Sequence, residues 1–295
     1  MTTKIWVGTD TGHEGDINTA ANWSPSGVPE AGDDVYFENS SQSVTAGLDT
    51  LAAVTLGSLN IAQNYTGTIG TASAYLQAAA TVCRAGYHYG PGTPIGSGRL
   101  MLDLKSVQSA ITIDNSGTPT DTGKAAIRIK NTHASSTLTV NKGKVAFCGD
   151  TGETGQLASL TLNYVSNKGT DAEVYVGAGV TLATVKKYGG KLNIRCAVTT
   201  YTTYDGSDVI SGSGAITTLY VKGGTVEANS TGTITTAEVS GGLLDLTKSP
   251  AARTITTLKV DPPGKVKYDP AVVTLTNKIQ PITAAGVVAY QAMAS

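Results

Sequence analysis

The sequence predicts an all-β protein, a right-handed parallel β-helix (β-solenoid) with an N-terminal and a C-terminal cap. Two observations lead to this fold class. A short phrase of alternating apolar residues and glycines returns with a period too short for a helix pair. The composition is rich in glycine, with 35 residues, and poor in charge, at 15% of the chain, which is typical of stacked strands joined by tight corners.

The clearest copies of the phrase begin at Ile216, Ile234 and Ile255, each followed by two threonines. Their period of about 18 to 21 residues suits one coil of a solenoid. Apolar and polar residues alternate within each copy, as in strands that bury one face. We therefore expect the valines that end the phrase to stack in one column: Val221, Val239 and Val260.

Glycine pairs at 223–224 and 241–242 follow the strand-like residues and predict the corners of the coil, because glycine reaches a positive φ without a steric clash. Related phrases at 138–145 and 185–192 predict further coils upstream. About 11 coils spaced about 4.8 Å apart make a rod on the order of 50 Å long. Threonines at one position of successive copies predict a hydroxyl ladder: Thr217, Thr235 and Thr256.

The repeat divides the chain into three parts. Residues 46–278 form the predicted β-helix, and residues 1–45 form an acidic N-terminal cap or attachment segment without the coil phrase. Residues 279–295 carry no charge, so we expect this C-terminal tail to lie on a partner surface. Trp6 and Trp23 are the only tryptophans, and their position predicts an aromatic plug over the end of the core.

Charge, cysteine and hydropathy patterns exclude several function classes. A net charge of −1 gives no basis for nucleic-acid binding, and no apolar run is long enough for a membrane span. The start of the chain shows no secretory signal, and its three cysteines have no metal or redox spacing, so we expect buried free thiols in a protein made in a reducing cytoplasm. The histidines are equally scattered, and no cofactor or metal is predicted.

The segments 15–24 and 27–37 contain Asn22-Trp23, Gly27-Val28-Pro29 and Gly32-Asp33-Asp34-Val35-Tyr36-Phe37. This pattern resembles the opening of many bacterial and phage β-helix proteins. With the glycine- and threonine-rich coils, the chain is similar to structural β-helix proteins of tailed-phage particles, such as capsid decoration or head-fibre subunits. The resemblance implies a non-enzymatic virion protein that forms a homo-oligomer, with a trimer favoured, on the major capsid protein or another virion component. A bacterial β-helix adhesin is an alternative.

Aromatic and basic residues outside the coil rhythm are the candidate interface residues. The glycine- and proline-rich segment 84–99 carries one group, since tyrosine and arginine are enriched at protein interfaces. The segment 201–206 carries two tyrosines that we expect to stack on sugar or pack on a neighbouring subunit. The full set comprises Trp6, Trp23, Tyr87, His88, Tyr89, Arg99, Tyr201, Tyr204, Val287, Tyr290 and Met293.

Two acidic groups offer alternative chemistry. Aligning the coils on their glycines puts Glu227, Asp245 and Lys267 in one outward column, and two carboxylates about 5 Å apart suit a retaining glycosidase. A tailspike-like protein that binds or degrades polysaccharide is therefore an alternative, although a solvated charge ladder explains the column more simply. In the N-terminal segment, Asp10, Glu14 and Asp16 offer oxygen ligands for calcium, with solvated loop acids as the simpler interpretation.

Overall fold

The structure is a computed structural model that describes residues 1–71, 73–86, 99–114, 127–163 and 172–279. Within these ranges the chain forms 23 strands and one short 3-10 helix, Ala20–Asn22. The strands are β1 Thr3–Trp6, β2 Trp23–Ser24, β3 Asp34–Phe37, β4 Leu51–Ile61, β5 Leu76–Ala85, β6 Leu100–Asp103, β7 Ala110–Asp114, β8 Ile127–Lys130, β9 Thr137–Lys142, β10 Lys144–Phe147, β11 Thr154–Leu162, β12 Glu173–Val176, β13 Gly179–Lys187, β14 Lys191–Ile194, β15 Ala197–Thr203, β16 Ser207–Ile210, β17 Ile216–Val221, β18 Thr225–Ala228, β19 Ile234–Val239, β20 Leu243–Asp245, β21 Arg253–Val260, β22 Lys265–Lys267 and β23 Val273–Ile279.

The strands form two parallel ladders that wind as a β-solenoid, which confirms the predicted fold class. The long ladder contains β1, β3, β4, β5 and the odd-numbered strands from β7 to β23. The short ladder contains β6 and the even-numbered strands from β8 to β22, and it begins on the first residues of β5. Each coil from β7 onward therefore supplies one strand to each ladder. The right-handed sense of the winding stays a prediction from the handedness rule for parallel connections.

The registers of the C-terminal coils match the sequence repeat. Val221 pairs with Val239 and Val239 with Val260, so the predicted column of valines is confirmed. The three predicted threonines occupy equivalent positions between paired residues of the same strands. Coils nearer the N-terminus are longer than the repeat, since Cys83 pairs with Ile111.

Aliphatic side chains fill the bore between the ladders. The odd-numbered strands from β11 to β21 repeat one burial pattern, in which two consecutive outward residues such as Thr217 and Thr218 separate buried Ile216 from buried Leu219. Two outward residues in a row require a bend in the strand, because alternation along a straight strand sends them to opposite faces. The bend lets one strand cover two sides of a narrow core.

The predicted glycine corners lie between the long and the short ladder. Gly224 and Gly242 have φ values of +70° and +65°. A Cβ at Gly224 would lie 2.4 Å from the carbonyl oxygen of Gly206, one coil away. These glycines therefore serve both the turn and the close approach of successive coils. The strands β5 and β6, β7 and β8, and β11 and β12 likewise follow one another from the long to the short ladder.

The N-terminal end carries the predicted aromatic plug. The rings of Trp6 and Trp23 meet edge to face with centroids 5.2 Å apart, and Phe37 packs within 6.0 Å of both. Tyr65 extends the cluster at 5.4 Å from Phe37. However, β1 and β3 already pair in parallel, and β3 pairs with β4. The long ladder thus begins inside residues 1–45, before the predicted boundary at residue 46.

The three cysteines are free and buried, as predicted. Burial raises the pKa of each thiol to about 12. These side chains are Cys83, Cys148 and Cys196. The part of the chain that the structure describes contains no helix of the length and apolarity that a membrane crossing requires.

Candidate functional site

A groove of about 540 Å³, lined by both polar and apolar atoms, lies on the outer face of the short ladder. It extends across β8, β10, β12, β14 and β16, a span of roughly 19 Å at the usual spacing of neighbouring strands. Its lining comprises Arg128, Lys144, Ala146, Gly149, Asp150, Glu173, Val174, Tyr175, Lys191, Leu192, Asn193, Ser207 and Val209.

The strand register arranges the outward side chains of the groove in two rows. Side chains alternate across each strand, so residues paired in the ladder share a face. The first row joins Lys144, Glu173, Lys191 and Ser207. The second row joins Arg128, Ala146, Tyr175, Asn193 and Val209.

Ion pairs and hydrogen bonds order the side chains of the groove. Arg128, which is buried, contacts the carboxylate of Asp150. Lys144 Nζ lies 3.7 Å from Glu173 Oε1. Each carboxylate of the lining is thus matched by a cation.

Tyr175 is the only aromatic residue in the lining. Its hydroxyl accepts a hydrogen bond of 3.0 Å from Arg195 Nη1, which fixes the position of the ring. Lys191 is exposed and forms no ion pair with any described residue, so the lining has one cation more than it has carboxylates. Hydroxyl, amide and ammonium groups around one ring suit the binding of a polar chain with negative charge.

The two tyrosines of segment 201–206 have different environments. Tyr201 has no exposed area, so the prediction that its ring faces a sugar or a subunit is wrong. Tyr204 is 39% exposed and stacks on Tyr188 with ring centroids 4.9 Å apart. Lys222 lies over the Tyr204 ring at 5.3 Å. The exposed aromatic feature after β13 and β15 is therefore a stack of Tyr188 on Tyr204, in which each ring covers one face of the other.

The predicted carboxylate column exists in the register. Glu227 pairs with Asp245, and Asp245 pairs with Lys267. Asp245 is only 5% exposed and accepts hydrogen bonds of 2.9 Å and 2.6 Å from the Thr247 amide and hydroxyl. Burial alone would raise its pKa, but these hydrogen bonds and nearby lysines outweigh it and lower the pKa. A lowered pKa does not suit a general acid, and a carboxylate that is buried and bonded to Thr247 is not presented to a substrate, so Asp245 is suited to holding a turn.

The N-terminal acids belong to local turns. Asp10 accepts a hydrogen bond from His13 at 3.2 Å, and Asp16 accepts one of 2.9 Å from the amide of Asn18. Asp33 accepts hydrogen bonds from the amides of Thr2 and Glu30, at 2.7 Å and 3.1 Å. Across the described ranges, no three histidine, cysteine, aspartate or glutamate side chains form a group that could hold a metal ion.

The other candidate interface residues divide into three groups. Trp6 and Trp23 are buried in the aromatic plug, so their rings serve the core and are not available to a partner. Arg99 is partly exposed, directly before β6. The remaining candidates lie outside the described residues: Tyr87, His88, Tyr89, Val287, Tyr290 and Met293.

Comparison with known proteins yields no match to a family model, a curated protein or a solved structure. The resemblance of the N-terminal segment to phage β-helix proteins therefore stays a prediction. The sequence does not predict the groove. The one pattern that points to it is the coil phrase at 138–145, in which Lys144 occupies a position next to the apolar Val145 and therefore faces outward.

Proposed function

We propose that the chain is a non-enzymatic structural protein of a phage particle, a capsid decoration or head-fibre subunit that assembles on the virion surface. The open end of the long ladder is the observation that supports this proposal best. The outer edge of β23 pairs with no strand in the described ranges, and Ile279 at its end is 50% exposed. Unpaired strand edges act as templates for another chain, and the uncharged tail follows directly.

The proposed assembly is a homo-oligomer, with a trimer favoured, held on the major capsid protein or another virion protein. The long ladder makes a rod on the order of 60 Å at about 4.8 Å per strand. Among the described residues one end of the rod is closed by the aromatic plug and the outer edge of β23 is unpaired, which favours attachment through that end. In this proposal the aromatic plug closes one end, and β23 with the tail makes the contact.

Sedimentation velocity tests the proposal with the full chain and a chain that lacks 280–295. We expect the full chain to form a defined oligomer and the shortened chain to remain a folded monomer with the same circular dichroism spectrum. An oligomer of unchanged size without the tail would contradict the contact. Imaging of particles labelled with an antibody against the chain tests the virion location, and unlabelled particles would contradict it.

A second candidate function is the binding of an acidic polysaccharide in the groove of the short ladder. The matched ion pairs, the free ammonium group of Lys191 and the fixed ring of Tyr175 favour it. Successive rungs of the ladder are spaced about 4.8 Å apart, close to the rise of one sugar in an extended chain. Such a ligand would lie along the ladder axis.

Affinity electrophoresis in gels that contain an acidic or a neutral polysaccharide tests this function. We expect retardation by the acidic polymer, and Tyr175→Ala and Lys191→Ala to weaken binding by about tenfold or more, which is about 1.4 kcal/mol. Lys186→Ala is the matched control, since Lys186 is an exposed lysine of the same coil on the long ladder. Equal loss in the control would exclude the groove. Release of reducing ends would indicate degradation of the polymer.

A further inference from the structure

A group of polar side chains is enclosed in the bore between β13 and β16. Lys187, Tyr201 and Thr203 have no exposed area, and Asp208 is 1% exposed. Most equivalent positions in neighbouring coils are aliphatic. The position of Lys187 corresponds to Leu162 in the preceding coil and to Thr203 in the next coil, after which the column of valines begins at Val221. The position of Asp208 corresponds to Leu192 before it and Val226 after it.

The amine and the carboxyl group are in direct contact. Lys187 Nζ lies 3.1 Å from Asp208 Oδ1. The amine also donates to Thr203 Oγ1 at 3.4 Å and to the carbonyl oxygen of Asp205. Neither oxygen of Asp208 accepts a well-aligned hydrogen bond from a described residue, and the Tyr201 hydroxyl lies beside the carboxyl group.

An ion pair at this position is difficult to explain by stability alone. Replacing a buried ion pair by aliphatic residues is often neutral or stabilising, and Leu162, Leu192 and Val226 show that adjacent coils accept aliphatic residues at these positions. Burial raises the pKa of Asp208 to about 6, although Lys187 acts in the opposite direction. Amide formation from this ion pair requires transfer of one proton from the ammonium to the carboxylate, which would also remove both charges from the bore. The result is a neutral amine against a neutral carboxylic acid, which are the two reactants of amide formation.

We propose that Lys187 and Asp208 condense to an intramolecular isopeptide bond. The lone pair of Nζ attacks Cγ of Asp208, the Nζ–Cγ bond forms, and one Cγ–O bond breaks. The departing oxygen keeps the proton of the acid and gains one proton from Nζ, so one water molecule leaves. No group is oxidised or reduced. The Tyr201 hydroxyl relays the proton from nitrogen to oxygen.

The site provides the conditions for this reaction. Holding two groups in contact in a rigid core replaces a bimolecular encounter by a local one, which accelerates reaction by a large factor. Exclusion of bulk water protects the amide product from hydrolysis. The bond links the end of β13 to β16 in the next coil. Coils of a solenoid contact only their neighbours, so one covalent link between coils prevents separation of the stack at that point.

Intact mass spectrometry of the full-length, folded chain tests the proposal. We expect a mass lower than that of the sequence by one water molecule, and a branched peptide that joins Lys187 to Asp208 after proteolysis. The sequence Asp205-Gly206 can also lose water, by forming a succinimide, so fragmentation must locate the loss. A loss located at Asp205, or a folded chain with the full sequence mass, would overturn the proposal.

Variants separate the chemistry from folding. Lys187→Met and Asp208→Ala are expected to have the full mass calculated from their own sequences. Lys186→Arg, at the exposed neighbouring position, is expected to keep the loss of one water molecule. In Asp208→Asn the amide would lose ammonia in place of water, a different mass change that identifies the same bond. Tyr201→Phe keeps the ring and is expected to slow the mass change in freshly refolded protein at least tenfold. An unchanged rate would exclude the relay, and a mass loss that persists in Lys187→Met would exclude the bond.

Discussion

Replacing Gly224 by alanine tests the close approach of successive coils at the glycine corner. Gly224 has a φ of +70°, where an L-residue with a Cβ is disfavoured by about 1–2 kcal/mol. The new Cβ would also lie 2.4 Å from the carbonyl oxygen of Gly206, which is fixed backbone of the preceding coil. Relief requires movement of a packed coil, and overpacking of this kind costs about 1–3 kcal/mol. The total expected loss is about 2–5 kcal/mol.

Gly152→Ala is the matched control for this substitution. Gly152 has a similar φ of +84°, but a Cβ there would meet no atom within 4 Å. The control therefore measures only the cost of placing an alanine at a positive φ, about 1–2 kcal/mol. Equilibrium unfolding in urea, followed by circular dichroism, compares the two variants, and hydrogen exchange of 206–242 locates the change. Equal destabilisation of both variants would refute the steric argument.

Three further predictions concern the core and the N-terminal end. The free thiols, whose pKa values burial raises, should not react with a thiol reagent at pH 8 until the chain is unfolded, and rapid labelling of the native protein would contradict their placement. Burial tends to raise the pKa of Asp33, but backbone hydrogen bonds outweigh it, so this pKa lies below the usual value for aspartate. The Asp33 carboxylate therefore stabilises the fold above the usual aspartate pKa, and this contribution is lost as the pH falls through the lowered pKa. Asp33→Asn should reduce the pH dependence of the free energy of unfolding in this range, and an unchanged pH dependence would contradict the prediction. Phe37→Ala should destabilise the aromatic plug by about 3–5 kcal/mol and shift tryptophan emission to the red, in contrast to a surface change such as Tyr36→Ala.

The sequence predicts the C-terminal coils well because their length is nearly constant. Ile216, Ile234 and Ile255 are in register in the ladder, and the intervening glycines are at the corners. Upstream, the number of residues between a strand of the long ladder and the next strand of the short ladder varies, so a fixed period fails there. Lys144 and Glu173 are paired neighbours in the short ladder, yet a long connection separates them in the chain.

The incorrect prediction for Tyr201 has a specific physical cause. An exposed Tyr201 is what residue type alone predicts, since exposed tyrosine is common at interfaces. The coil pattern predicts the opposite: Thr199-Thr200-Tyr201 corresponds to Thr217-Thr218-Leu219, and the residue after the two threonines points into the bore. The same comparison places Asp208 beside Leu192 and Val226. Position in the coil therefore determines burial here more strongly than residue type.

The buried amine of Lys187 depends on the glycine corner at Gly206. This residue has a φ of +85°, and a Cβ there would lie 2.2 Å from the carbonyl oxygen of Gly190 and 2.7 Å from Lys187 Nζ. The missing side chain thus allows both the stacking of the corner and the passage of the lysine amine to the next coil. Since Gly224 and Gly242 meet the first requirement with valines in the bore, the corner does not by itself require a lysine. The buried amine is a separate feature of this coil, and its contact with Asp208 needs an explanation other than the geometry of the turn.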